Sequence, residues 1–181
     1  MTDWTALTGE ALQWQPEGHW NWELRARGNG VARVTWRSTC GSLALASCRH
    51  GEWTLKRMGF FRPYITVRTA GSEGDLARMQ RAGRVTSLRF GDGSAFTWAR
   101  LRSRGKDRMF ADQAGRPIVS FSPSTRGGPL SGLMTIGSTD VPAGTLVLLA
   151  VVGWYRLVLE QMDEEAAMLA ATMAAVSAAV S

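Results

Sequence analysis

The stretch AGTLVLLAVVGWYRLVLEQ, residues 143 to 161, constrains this chain more than any other. A helix that is apolar on every side has to be surrounded by something apolar, either lipid or the protein itself. The uninterrupted run from Ala143 to Tyr155 falls short of the roughly 20 residues that cross a hydrocarbon core about 30 Å thick. Extending it to Leu159 brings Arg156 inside the apolar end, from which it would have to snorkel. Hydropathy alone leaves both surroundings open, and what precedes the segment favours the protein interior.

From Leu12 to about Ile136 the chain reads as a succession of short strands separated by turn residues. HWNWELRAR (His19 to Arg27) alternates Trp20, Trp22, Leu24 and Ala26 with Asn21, Glu23, Arg25 and Arg27, the period of a strand with one buried face. GNG then predicts a turn, and VARVTWRS (Val31 to Ser38) completes a hairpin. SLALASCR, EWTLKRMG and YITVRTA continue the series, with HG, FFRP and GSEGD as punctuation. In RVTSLRFGDGSAFTWARLR the pair Asp92-Gly93 predicts a tight hairpin with positive φ at both turn positions. RMFADQAGRPIVSF bends at Ala114-Gly115, and SPSTRGGPLSG (Ser122 to Gly132) reads as an exposed loop. Pro142 suits a first helical turn and Asp140 its cap.

Repeated strands with glycine turns argue for an antiparallel barrel or sandwich rather than a βαβ fold. Their inward faces need a filling, and the apolar helix needs a wall. A closed antiparallel β-barrel of about ten to twelve strands around a buried C-terminal apolar α-helix satisfies both. The expected organisation is one barrel domain over residues 1–161, with its central helix at about 142–161, and an alanine-rich helical tail over 162–181. That tail packs outside the barrel, packs against another subunit, or frays. A membrane span formed by residues 143–159 is the alternative to the central helix.

At 181 residues, 45% hydrophobic and 20% charged, the composition is that of an ordinary globular domain. Met1 to Leu12 carries acidic residues and lacks the basic stretch and apolar run of a secretory signal, so the mature chain is expected to begin near Met1. Cys40 and Cys48 match neither a CxxC nor a zinc spacing. On one unbroken strand they would stand roughly 26 Å apart, too far for a disulfide, although a turn at Gly41-Ser42 would change that. Two buried thiols in a reducing compartment are expected.

No catalytic, metal or cofactor constellation emerges. His19 and His50 have no carboxylate or cysteine at ligand spacing, and Cys48-Arg49-His50 offers a thiol and an imidazole without the oriented site that nucleophilic catalysis needs. Asp163-Glu164-Glu165 reads as a solvated helix face, and RFGDGS lacks the spacing of a phosphate-binding loop. The basic residues carry more information. The formal charge is +6 and the pI about 10.3, with cations concentrated at Arg100, Arg102, Arg104, Lys106 and Arg108. Lys56, Arg57, Arg62 and Arg68 form a second group. Such clusters hold anionic headgroups or phosphates, or else solvate strand edges and keep them from pairing. Nucleic acid is disfavoured, because Trp20, Trp22, Trp36, Trp53 and Trp98 take inward strand positions rather than forming a stacking platform.

GEWTLKRMGFFRPYITVR (Gly51 to Arg68), LRFGDGSAFTWARL (Leu88 to Leu101), FADQAGRPIVSF (Phe110 to Phe121) and LVLLAVVGWYRLVLEQ (Leu146 to Gln161) resemble the tubby C-terminal-like superfamily. It includes tubby proteins, phospholipid scramblases and LURP-one-related proteins, and these stretches look like its bacterial-type members. The resemblance implies a barrel threaded by its C-terminal helix. It also implies a non-enzymatic module that binds anionic phospholipid, cytoplasmic and peripheral at the membrane. The lipid-binding residues of those families do not align here one by one, so the basic candidates rest on charge clustering. A structural protein that self-associates through 162–181 is the other reading.

Overall fold

The computed structural model describes residues 4–38, 41–101, 105–126, 128–138 and 140–180. After a short 3-10 turn at Thr5–Leu7, twelve strands follow one another: β1 (Ala11–Pro16), β2 (Asn21–Ala26), β3 (Asn29–Trp36), β4 (Ala44–Cys48), β5 (Gly51–Met58) and β6 (Tyr64–Thr69), then β7 (Ala77–Ala82), β8 (Val85–Phe90), β9 (Ala95–Arg100), β10 (Arg108–Ala111), β11 (Pro117–Ser124) and β12 (Ser131–Ile136). Each pairs antiparallel with its sequence neighbours, and β1 pairs with β12 through Ala11 opposite Thr135 and Trp14 opposite Gly132. The sheet is thereby closed, and no edge strand is left open to another chain.

One helix, α1 (Ala143–Val180), runs through the middle. Alternate strand residues such as Trp14, Leu24, Val34, Leu55, Val67 and Leu88 point inward and are fully buried, as are Leu146, Leu149, Val151, Trp154 and Tyr155 of the helix. Full burial of a leucine or valine is worth about 1.5–3 kcal/mol, so wall and pin stabilise each other. Aromatic rings fill the space between them. Trp14 stacks on Trp154 at 5.1 Å, Trp36 on Tyr155 at 4.9 Å, and Trp98 lies 5.7 Å from Phe121. The stretch from Leu146 to Leu159 thus lies inside the barrel. Arg156, which interrupts the apolar run, stays half-buried and donates to Glu160 at 3.1 Å.

Several local expectations are corrected. The hairpin turn between β2 and β3 is Arg27-Gly28, both at positive φ, so the asparagine and second glycine of GNG already belong to β3. Asp92-Gly93 sits in a four-residue connection in which only Gly93 has positive φ, and the Asp92 carboxylate accepts the Ser94 N–H at 2.8 Å. Only the ends of the Ser122–Gly132 loop are strand: β11 runs to Ser124 and β12 begins at Ser131, which leaves 125–130 as the connection. Asp140 does not cap the helix. Its carboxylate lies 3.6 Å from Arg116, while the Pro142 carbonyl accepts the Leu146 N–H at 3.0 Å and opens α1. Cys48 is a free thiol, and Cys40 lies outside the described residues.

Antiparallel order gives the barrel two distinct ends. The helix goes in at the inlet rim, formed by the connections 27–28, 49–50, 70–76, 91–94 and 112–116. It comes out at the outlet rim, formed among the described residues by 17–20, 37–38, 41–43, 59–63, 83–84, 101, 105–107, 125–126 and 128–130. Beyond the outlet rim α1 continues unbroken, and every residue from Asp163 to Ala178 is exposed.

Candidate functional site

The outlet rim gathers most of the basic residues singled out in the sequence. Arg57 ends the inward face of β5 and donates to both carboxylate oxygens of Asp163 at 2.8 Å. Arg108, on the inward face of β10, reaches Glu160 at 3.4 Å, and Lys106 reaches Glu164 at 3.0 Å. Asp163-Glu164 is therefore not a purely solvated helix face: it forms a collar of ion pairs where α1 leaves the barrel. The exposed Arg57–Asp163 and Lys106–Glu164 pairs are each worth only about 0–1 kcal/mol, whereas Arg108–Glu160 is partly buried.

The remaining candidates separate. Arg62 and Arg100 stand exposed on the outlet rim, and Lys56 is exposed on the outer wall of β5; none has a carboxylate partner among the described residues. Arg68 belongs elsewhere, near the inlet rim, where it donates to Asp75 at 2.8 Å. Arg78 donates to the same carboxylate at 2.9 Å, and these hydrogen bonds, that from Arg78 first, hold the Asp75 carboxyl below its ordinary range. Arg102 and Arg104 lie outside the described residues.

Beyond those candidates, Arg37, Arg84 and Arg126 are also exposed in outlet connections without a carboxylate partner among the described residues. The inlet connections carry Glu73, Asp75, Asp92 and Asp112 against Arg27, Arg49 and Arg116, of which Arg27 is paired with Glu10 and Arg116 with Asp112. Exposed cations without a carboxylate partner among the described residues are thus more numerous at the end where the helix emerges.

Within the basic rim is an apolar pair that sequence reasoning passed over as punctuation. Phe60 and Phe61 are 91% and 92% exposed, with ring centroids 5.2 Å apart, at the tip of the β5–β6 connection. Gly59 has φ +78°, and a Cβ there would stand 2.9 Å from the Arg62 carbonyl, so this turn requires glycine. With Pro63 fixing the other side, the rings are held out on a short, shaped loop. The signal was present in the sequence, since two phenylalanines between a turn glycine and a proline have no strand face to turn inward.

Two grooves flank the β11–β12 connection on the same rim. One, of about 300 Å³, lies between Lys106, Arg108 and Ser124 and the helix residues Glu160, Glu164 and Met168. The other, of about 190 Å³, is walled by Trp20, Trp22, Leu130, Val158 and Met162. The Trp22 indole donates to the Leu130 carbonyl at 2.8 Å and pins this connection to β2. Trp20 carries φ +63°, an uncommon conformation for a bulky residue, and places a partly exposed indole on the rim.

The Cys48 thiol accepts the His50 N–H at 3.1 Å and is pushed up in pKa by burial, which disfavours a thiolate. Among the described residues no group of three His, Cys, Asp or Glu side chains could hold a metal ion. The chain was compared with family models, curated proteins and solved structures. None of them matches it.

Proposed function

We propose that the protein is a non-enzymatic module that docks its outlet rim on an anionic phospholipid surface. The observation that carries this reading is the placement of Phe60 and Phe61, almost wholly exposed on a shaped loop, on the rim that holds Arg37, Arg62, Arg84, Arg100 and Arg126, cations without a carboxylate partner among the described residues. Aromatic rings enter the headgroup region while arginines hold lipid phosphates, and each contribution needs the other for stable attachment. Burying those rings in the protein would have been worth about 1.5–3 kcal/mol apiece, so their exposure calls for a partner surface. The partly exposed Trp20 on the same rim suits the membrane interface, where amphipathic rings collect. A barrel threaded by its C-terminal helix is also the arrangement that the resemblance to tubby-like and scramblase-like proteins implies, and that resemblance supports the same class of ligand.

The test is co-sedimentation of the full chain with phosphatidylcholine vesicles, with and without phosphatidylglycerol. Binding should require the anionic lipid. It should weaken when salt rises from about 0.1 M to about 1 M, which shortens the screening length from about 10 Å to about 3 Å. Phe60→Ser with Phe61→Ser should weaken binding at least about tenfold, a loss of about 1.4 kcal/mol, without moving the melting temperature. Equal binding to neutral and anionic vesicles, or undiminished binding by the double variant, would overturn the assignment.

A further inference from the structure

The exposed end of α1 has no counterpart in the barrel. Met168, Leu169, Met173 and Val176 are 63%, 66%, 65% and 58% exposed, on a helix whose last charged residue is Glu165. From Ala166 to Val180 every residue is Ala, Met, Leu, Val, Thr or Ser. A solvated helix of that composition is poorly accounted for, because polar all-round or amphipathic character is what keeps a helix in water. We propose that Ala166–Val180 inserts as a helix into the hydrocarbon of the bilayer on which the outlet rim docks, a step that rests on the docking reading above.

Three observations favour lipid over a second copy as the occupant. The segment emerges from the same rim that carries Phe60, Phe61 and the exposed arginines Arg37, Arg62, Arg84, Arg100 and Arg126, so docking that rim aims it at the membrane. It has no charge with which to form the flanking ion pairs that set partner choice between paired helices. Leu169, Met173 and Val176 share one seam but Met168 lies off it, so a single paired helix would leave part of this apolar surface in water. The Thr172 hydroxyl already donates to the Met168 carbonyl at 2.9 Å, so this polar group is satisfied within the helix, as a bilayer requires. Fifteen residues at 1.5 Å each reach about 22 Å, most of the way through a core about 30 Å thick. The collar of Arg57–Asp163, Arg108–Glu160 and Lys106–Glu164 pairs then lies at headgroup level, where carboxylates and cations both remain hydrated.

The experiment places an environment-sensitive fluorophore on Met173→Cys in the full chain carrying Cys40→Ala and Cys48→Ala. The chain is mixed with phosphatidylcholine–phosphatidylglycerol vesicles containing an acyl-chain nitroxide quencher. The label should shift to the blue on binding and be quenched from within the bilayer rather than by aqueous iodide, while the same label on Arg49→Cys at the inlet rim stays in water. A label at 173 that remains in water while the chain sediments with vesicles overturns insertion and leaves the docking reading standing. Failure to sediment at all overturns both. A label shielded before lipid is added, in a chain that sediments as a dimer and is not quenched from the bilayer, assigns the segment to a second copy and overturns the proposal. Leu169→Asp with Met173→Asp provides an independent readout. It should lower vesicle affinity about a hundredfold with an unchanged melting curve, whereas unchanged affinity contradicts insertion.

Discussion

At Gly153 the central helix passes close against the wall, and adding one methyl group there tests how tightly the pin is held. A Cβ at this position would lie 2.3 and 2.5 Å from ring carbons of Phe121 and 3.2 Å from Phe110. Both rings are fully buried, and Trp98 sits against each, at 5.7 and 4.8 Å, so neither can simply swing aside. Alanine is intrinsically better than glycine inside a helix by about 1 kcal/mol. Overpacking a closed core costs about 1–3 kcal/mol, and a contact this short belongs at the upper end. Gly153→Ala should therefore destabilise the protein by about 2 kcal/mol net, lowering the melting temperature by about 4–8 °C for a domain of this size. Gly144→Ala is the control: a Cβ there meets nothing within 4 Å, so stability should hold or rise. Urea and thermal unfolding of the two variants, and of Gly153→Ala combined with Phe121→Leu to look for coupling, provide the measurement. If Gly153→Ala stabilised the chain as much as Gly144→Ala, the helix would not be packed against β11 and the argument would fail.

Removing residues 142–181 should abolish cooperative unfolding of the β-domain, because the inward side chains lose their filling, whereas removing only 166–181 should leave the melting curve in place; circular dichroism separates the two. Burial raises the pKa of the Tyr155 phenol, whose O–H donates to the Ser42 carbonyl. Its contribution should be complete below the unfolded value near pH 10 and decline as pH rises above it; urea melts of Tyr155→Phe should lack that alkaline decline. The Asp75 carboxyl is depressed, so its contribution should be complete above the unfolded value of about 3.9 and disappear as pH falls through the folded one. Acid titration of stability in Asp75→Asn should show a shallower loss than in the parent chain.

The fold was legible because its two halves made opposite demands. Val147, Leu149 and Trp154 require an apolar surround, and alternations such as Trp22-Leu24 and Trp53-Leu55 require an apolar filling. Strand β7 escaped the pattern: its inward residues Ala77 and Met79 are interleaved with Arg78 and Gln80, and Arg81 and Ala82 that close it are exposed. It is held by pairing to β6 and β8 rather than by its own hydrophobicity. Charge clustering picked out Arg57, Arg62, Arg100, Lys106 and Arg108, which share the outlet rim, together with Arg68, which does not, and it could not say which of them were paired. The Arg57–Asp163 pair joins residues 106 positions apart, a relation that no local spacing encodes. The exposed phenylalanines and the uncharged end of α1 were visible as letters; only the strand directions put them on one rim.

Hydrogen exchange of the full chain, with and without phosphatidylcholine–phosphatidylglycerol vesicles, tests most directly whether that rim faces the membrane. New protection should appear in residues 59–63 and 166–178, with none at the inlet connections 70–76 and 112–116. Protection confined to the inlet connections, or spread evenly over both ends, would contradict the account.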